Sequence, residues 1–153
     1  MQRICLTRMA AAILFFTVFT LLAPTVRATE LPDDMPEWNA AQREMLAQFC
    51  AARCEGEPFL CKVATVCCLL NRVRDSRFPG DLTTVLVDAG YSAAPVKEAE
   101  YRSALWAIRC ARMGPDPTGG SVLWARAGTA DSAGIRLRLA AGSMIFGVPE
   151  SDG

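Results

Sequence analysis

The segment from Leu60 to Val73 constrains the fold of this chain more than any other part of its sequence. Its apolar residues recur every three or four positions and cover two sides of a predicted helix. A helix that is apolar on two sides lies inside a domain, not on its surface. Pro58 suits the first turn of this helix, because its missing N–H has no partner to lose there. The two apolar sides consist of Leu60, Val63, Ala64, Cys67 and Leu70 and of Val66, Leu69 and Val73.

Three further helices are predicted around the central one. Asn39 and Gln42 form a capping-box pattern that begins the first of them, and Gly56 interrupts it. Asp81 can cap a short helix, and Pro95 is predicted to open the last one. The sequence therefore predicts a helical body.

After the last helix the apolar pattern changes to that of short strands. Val122–Trp124 and Met144–Phe146 are predicted strands. Ile135, Leu137 and Leu139 alternate with arginines, which predicts a half-exposed strand of period two. Helices first and a small sheet last indicate an α+β domain.

The first 28 residues have the three parts of a secretory signal, which predicts a secreted or cell-envelope protein. A basic start is followed by an apolar run from Met9 to Ala23, and Val26 and Ala28 suit cleavage after Ala28. The alternative is an uncleaved membrane anchor, but the run is shorter than the ~20 residues that a spanning helix needs. The predicted segments are a signal peptide over 1–28, a polar leader over 29–38, one domain over 39–148 and a tail over 149–153.

Charge argues against a nucleic acid as a partner. The whole chain has 16 basic and 16 acidic residues. The signal segment contains Arg3, Arg8 and Arg27, so the remaining chain has 13 basic and 16 acidic residues, a net charge of −3. No block of lysine and arginine provides the electrostatic footprint that binding to nucleic acid requires.

Six of the seven cysteines remain once the signal is removed. An even number in an exported chain allows disulfides, in any of 15 pairings. Cys50 and Cys54 share a helix face, so either is placed to reach Cys61 after the following turn. Cys67 and Cys68 are open to two interpretations, as partners in disulfides or as small apolar core residues.

The sequence contains no histidine, which removes several kinds of chemistry. Nucleophiles activated by histidine are excluded. A zinc site lacks its usual ligands, because no CxxC occurs either. No glycine-rich phosphate loop follows a predicted strand. We therefore expect no metal and no cofactor, and carboxylates are left as the candidate chemical groups.

Glu55 and Glu57 flank Gly56 between two apolar helices and are the candidate catalytic residues. A carboxyl partly shielded from water there has a raised pKa, as the general acid of glycoside cleavage requires. The alternative is that Glu57 only stabilises the start of the next helix. Asp116 likewise suits a turn at Asp116–Gly119, and Asn71 suits a helix residue that binds a neighbouring loop.

Five short motifs follow one another along the chain and carry a resemblance to a known family. They are Gly56-Glu57-Pro58-Phe59, Val63-Ala64, Asn71-Arg72-Val73, Phe78-Pro79 and Asp116 through Gly120. In this order they resemble the SleB/CwlJ-type cell wall hydrolases, over about residues 46–146. The resemblance implies a lysozyme-like helical domain with a small C-terminal sheet. Cys67 and Cys68 fall where the family usually has alanine and valine, which favours core positions for both.

The sequence departs from the family pattern where chemistry is expected. Counting back from Glu57, the family's first glutamate, its expected catalytic acid, falls on Arg53. Arginine cannot act as a general acid near neutral pH, because its pKa exceeds ~12. The usual arginine is Glu55 here, and the family's late histidine is Met144.

The resemblance implies an exported glycosidase, of lytic transglycosylase or muramidase type, that acts on the glycan strands of peptidoglycan. A glutamate would be the general acid and base, and the muramic C6 hydroxyl the internal nucleophile. Glu57 is the first candidate for this acid and Glu55 the second; Asp116, Thr118 and Tyr91 are the predicted substrate-binding residues. The alternative is an inactive family member that binds peptidoglycan or an envelope partner. Contact with a membrane is expected only through an uncleaved signal segment.

Overall fold

The computed structural model describes residues 38–150; the predicted signal peptide, the leader up to residue 37 and the last three residues of the tail lie outside the described residues. The described part is the predicted α+β domain, with helices first and strands last. None of its helices is long and apolar enough to cross a membrane. The elements are α1 (Ala40–Arg53), α2 (Phe59–Arg74), α3 (Leu82–Asp88), α4 (Glu98–Met113), β1 (Leu123–Arg126), a 3₁₀ helix (Ala130–Ser132), β2 (Ile135–Ala141) and β3 (Met144–Pro149).

Helix α1 begins at the predicted capping box and ends before the two candidate glutamates. The Asn39 side chain accepts a hydrogen bond from the Gln42 N–H at 2.9 Å, and the Gln42 side chain accepts one from the Asn39 N–H at 3.2 Å. After Arg53 the chain turns at Gly56, whose φ of 73° is readily adopted only without a side chain. Glu55 and Glu57 therefore both lie in the connection between α1 and α2.

Helix α2 is the central buried helix that the sequence predicts. Every residue from Cys61 to Leu70 is buried. One side packs on α4, where Val63 belongs to the same buried cluster as Ala107. The other side packs on the sheet, where Ala64 clusters with Phe146. Because α2 is covered on both sides, only its two ends can present polar groups to solvent.

The strands form one antiparallel sheet in the order β1-β3-β2. Strand β2 was expected to direct Ile135, Leu137 and Leu139 to one side. This prediction is wrong at Leu137, which is 57 % exposed. A register irregularity between Leu137 and Leu139 shifts the pairing with β3, and such a bulge interrupts strict alternation.

Helix α4 begins at Glu98 and not at Pro95, which corrects the predicted start. Lys97 is its N-terminal cap, with extended backbone angles. Two acidic residues, Glu98 and Glu100, occupy the first turn, where negative charge favours a helix start. Proline also disfavours helical geometry in the residue that precedes it, so Ala94 stays outside the helix.

Candidate functional site

Glu57 precedes α2, and the tip of the β2–β3 hairpin holds its carboxylate. Its Oε2 accepts a hydrogen bond from the Ser143 N–H at 2.9 Å, and its Oε1 accepts one from the Ser143 hydroxyl. These bonds lower the pKa of Glu57, and the charges of Arg126 and Lys62 lower it further, while desolvation opposes them. The carboxyl is therefore ionised at neutral pH, whereas a general acid needs the opposite shift.

Glu55 lies outside α1. This position is required if Glu55 is to replace the catalytic acid that the family has at the position of Arg53, because inside the helix the two side chains would point in different directions. Its Oε1 forms an ion pair with the Lys97 Nζ at 2.6 Å, and 51 % of its side chain is exposed. A general acid also needs shelter from water. The structure places Glu55 in an exposed ion pair and gives it no such shelter.

Lys62 supports the turn that carries both glutamates from inside the domain. Its Nζ donates to the carbonyl oxygens of Cys54 and Glu57 at 3.1 Å each. It also forms an ion pair with the Glu100 Oε2 at 2.9 Å, and only 4 % of the lysine side chain is exposed. The other oxygen of Glu100 accepts a hydrogen bond from the Gly56 N–H at 3.3 Å. The pKa of Glu100 is lowered, first by its bond to Lys62.

At the opposite end of α2, Asp116 organises a turn. Its Oδ1 accepts hydrogen bonds from the Thr118 N–H at 2.8 Å and the Thr118 hydroxyl at 2.6 Å. Its Oδ2 accepts from the Gly120 N–H and from the Asn71 Nδ2, at 2.9 Å each. Although burial raises the pKa of Asp116, these bonds together lower it. Asp116 therefore has the structural contacts of a turn-forming residue, and Asn71 binds the neighbouring loop, as the alternative interpretation predicts.

A cavity of about 230 Å³ opens beside this turn, between the C-terminal ends of α2 and α4. Its polar lining includes Asn71, Arg74 and Asp116. Thr118, which is buried, does not line it. Tyr91 lies elsewhere, with its hydroxyl donating to Gln48 at 2.8 Å. Of the three predicted substrate-binding residues, Asp116 alone borders the cavity.

The predicted catalytic and substrate-binding residues do not converge on one cluster. Glu57 precedes the N-terminal end of α2, while Asp116 contacts Asn71 near the other end. Phe59 and Asn71 are twelve positions apart, which spans about 18 Å of helix at 1.5 Å per residue. The structure brings Asp116 and Thr118 together and separates both from Glu57.

Arg72 and Trp124 form a third group of polar and aromatic residues. The Arg72 guanidinium lies 4.0 Å from the centre of the Trp124 ring and 5.1 Å from that of Phe78. Its Nε donates to the Val122 carbonyl at 2.6 Å. Burial lowers the pKa of Arg72, and the charge of Arg53 contributes to the shift. Arg53, at the position of the family's expected acid, thus lies within electrostatic range of this stack.

The six cysteines between residues 38 and 150 are free thiols, so the structure does not contain the predicted disulfide. Cys67 and Cys68 are buried, as expected of core residues. The sulfurs of Cys54 and Cys61 approach to 3.7 Å. In this described range, no three metal-ligating side chains are grouped to hold an ion.

Sequence reasoning missed three residues that shape the surroundings of Glu57, namely Ser143, Arg126 and Lys62. Lys62 has a signal in the sequence, because a lysine within a buried apolar helix requires a partner. Ser143 has none, since it lies 86 positions from Glu57 in the chain.

Two solved structures resemble this chain in fold. The catalytic domain of SleB from Bacillus cereus is 25% identical over 72% of this chain and 92% of that chain, with a TM-score of 0.58. The catalytic domain of the germination-specific lytic transglycosylase SleB from Bacillus anthracis is 26% identical over 72% of this chain and 97% of that chain, also with a TM-score of 0.58. No protein-family model matches the chain, and no curated protein matches it significantly. With its helices first and its antiparallel three-stranded sheet last, the chain has a SleB-like fold, the fold of a cell wall lytic enzyme.

Proposed function

We propose that this chain is an exported protein that binds peptidoglycan glycan strands through its SleB-like fold and does not cleave them with a glutamate acid. The likeness to two SleB catalytic domains supports the choice of ligand. The contact between Glu57 and Ser143 supports the loss of catalysis and is the observation on which the proposal depends. The signal-like segment at residues 1–28 supports export.

The chemistry of glycan cleavage explains why this contact matters. A protonated carboxyl must first donate its proton to the glycosidic oxygen, and in an internal transfer the same group then takes a proton from the muramic C6 hydroxyl. Such a group needs a raised pKa. Among residues 38–150, the carboxyl groups whose pKa is clearly shifted all have a lowered pKa, and these are Glu57, Asp75, Glu100 and Asp116. None of these four carboxyl groups therefore has the raised pKa of a general acid.

Two substitutions at family positions add support. Arg53 replaces the expected acid with an exposed cation at the end of α1. A guanidinium pairs well with carboxylates, which the peptide stems of peptidoglycan carry. Met144 occupies the family's histidine position and is buried in the core beneath the sheet. Both replacements favour retention of the fold and of binding over retention of cleavage.

A second candidate function is a lytic glycosidase with Glu57 as its acid. The observation in its favour is that the chain matches 92% and 97% of the two SleB catalytic domains, nearly their full length. For Glu57 to act in this way, the substrate would have to displace both hydrogen bonds from Ser143 and exclude water from the carboxyl.

Incubation of the purified chain with peptidoglycan sacculi distinguishes the two candidates. We expect the chain to sediment with the sacculi and to release no anhydromuropeptides detectable by mass spectrometry. Release by the wild type that is lost in Glu57→Gln would overturn the proposal in favour of the glycosidase. Release that is lost in Glu55→Gln and persists in Glu57→Gln would assign the acid to Glu55.

An Arg53→Glu variant tests whether only the acid has been lost. If the remaining site is intact, this variant releases anhydromuropeptides while the matched Arg53→Gln variant does not. We also expect both variants to bind sacculi less tightly than the wild type, because each removes the exposed cation. Unchanged binding by both would contradict the proposed role of Arg53.

A further inference from the structure

Three buried thiols surround the turn between α1 and α2, and the function proposed above uses none of them. Cys50, Cys54 and Cys61 are each 0 % exposed. The Cys61 thiol donates to the Cys54 sulfur at 3.7 Å, and the Cys54 sulfur also lies 3.2 Å from the Thr65 hydroxyl. The cluster therefore centres on Cys54, with Cys61 as its contact across the turn.

The remaining cysteines make contacts of their own, and Cys50 is also hydrogen-bonded to Cys54. The Cys50 thiol donates to the Lys62 carbonyl at 3.6 Å. Cys68 donates in the same way to the Leu123 carbonyl. Cys67 packs from α2 onto α4, and Cys110 is exposed. The Cys54 and Cys61 sulfurs meet across the turn and would have to close from 3.7 Å to the ~2.05 Å of a disulfide bond.

The surroundings of Cys54 favour a reactive thiolate. The pKa of the Cys54 thiol is lowered by hydrogen bonds from Cys50 and Cys61, then from Thr65, and by the Lys62 charge. The pKa of the Cys61 thiol is raised by the same hydrogen bond and by burial. Cys54 is therefore the thiol that ionises first and acts as the nucleophile, while Cys61 remains protonated.

We propose that Cys54 and Cys61 are joined by a disulfide that forms during folding, when a disulfide-bearing oxidant can still reach the turn. The Cys54 thiolate attacks one sulfur of the oxidant, and the oxidant's other sulfur leaves as a thiolate. Cys61 then loses its proton and attacks the Cys54 sulfur, which releases the first sulfur of the oxidant as a second thiolate. The two cysteines lose two electrons and two protons in total, and the oxidant is reduced to two thiols.

This bond would close the eight-residue loop from Cys54 to Cys61, which contains both candidate glutamates. Lys62 already binds the loop through the carbonyls of Cys54 and Glu57. A covalent closure restricts the unfolded chain and fixes the loop against the buried end of α2. The inference does not depend on peptidoglycan binding, because it concerns the folding of the loop only.

Trypsin separates the possible pairings cleanly. Cleavage after Arg53 and Lys62 leaves Cys54 and Cys61 in one peptide, residues 54–62. Cys50 lies in the preceding peptide, residues 44–53. A Cys54–Cys61 bond therefore appears inside a single peptide, whereas any bond to Cys50 links two peptides.

The experiment refolds the reduced full chain in a mixture of reduced and oxidised glutathione, alkylates the free thiols and digests the product. We expect peptide 54–62 to lack both alkyl groups, to weigh two hydrogen atoms less than its reduced form and to gain two alkylation sites after reduction. Full alkylation of both cysteines would overturn the proposal, and so would a cross-link between peptides 44–53 and 54–62.

Variants and a denatured control show that the fold selects this pair. Cys50→Ser should retain the internal bond of peptide 54–62, and Cys54→Ser should lose it. The same redox mixture in urea should give a smaller yield of this bond. Wild-type chain should also unfold at a higher temperature before reduction than after it, with no such shift in Cys54→Ser. An equal yield in urea, or an equal shift in that variant, would contradict the proposal.

Discussion

The two ends of α2 carry polar groups that are held in different ways. At the N-terminal end, Glu57 and Lys62 depend on Ser143 and Glu100, which come from other elements far along the chain. At the C-terminal end, Asp116 binds mainly within its own turn, and Asn71 adds one contact from the helix. The polar group at the N-terminal end is therefore assembled by the tertiary fold, while that at the C-terminal end forms mainly within one turn. The predictions below test this difference.

The largest effect is expected from removal of the acidic partner of Lys62. Glu100→Ala leaves a buried ammonium without its ion pair, which should cost about 3 kcal/mol in the free energy of unfolding, measured with urea. A Lys62→Met/Glu100→Leu double variant removes both charges and should recover most of this loss. A single variant within about 0.5 kcal/mol of wild type would show that the fold does not depend on this pair.

The hairpin tip should respond almost as strongly. In Gly142→Ala the new Cβ would lie 2.6 Å from the Pro58 Cδ and clash with the Glu57 carboxylate, at a φ of 60°. Strain and overpacking together should cost about 2–3 kcal/mol, measured by urea unfolding. The matched control is Gly56→Ala, which also has a positive φ but meets nothing within 4 Å. Its cost should be about 1 kcal/mol, and equal costs would show that the contact with Glu57 is unimportant.

At the other end of α2, Asp116→Ala should cost about 2 kcal/mol, because several donors lose their acceptor. Asp116→Asn keeps one acceptor oxygen and should cost less.

A double variant tests whether the two ends of α2 are independent. If they are, Asp116→Ala combined with Glu57→Gln should lose the sum of the two single losses in unfolding free energy to within about 0.5 kcal/mol, because the sites are distant. A larger deviation in urea unfolding would show that α2 couples them.

The smallest effect concerns pH. The pKa of Glu57 is lowered in the folded protein from its ordinary value of 4.5. Its contribution to stability is therefore present above pH 4.5 and lost as pH falls through the lower folded value. Wild type should be more stable than Glu57→Gln at pH 7, and the gap should narrow below pH 4.5 in chemical unfolding. If the stability difference between wild type and Glu57→Gln instead widened on acidification, the pKa of Glu57 would be raised, as that of a general acid is.

The elements of the fold were largely predictable because their signals are local. The Asn39 cap, the buried run along α2, the Asp81 cap and the three strands each follow from spacing or from one side chain. The start of α4 was not, because Pro95 permits a first turn but Lys97 and Glu98 set it. Leu137 was also missed, since a bulge depends on the pairing of two strands.

The candidate site was predictable only in part. Asp116 contacts both Thr118 and Asn71. The contact with Thr118 was predictable, because the turn signal lies within a few neighbouring residues. The state of Glu57 was not predictable, because its pKa depends on Ser143, which approaches only after the hairpin has packed. Proximity to an apolar helix suggested a shielded acid, and long-range hydrogen bonds give a stabilised anion instead.

The long reach of the contact between Glu57 and Ser143 also affects how the chain is made. The two residues are 86 positions apart, so the carboxylate emerges from the ribosome well before the hairpin that binds it. Contacts of such high sequence separation form late and slow the folding of a domain. During synthesis the start of α2 must therefore remain without its final partner until almost the last strand has been translated.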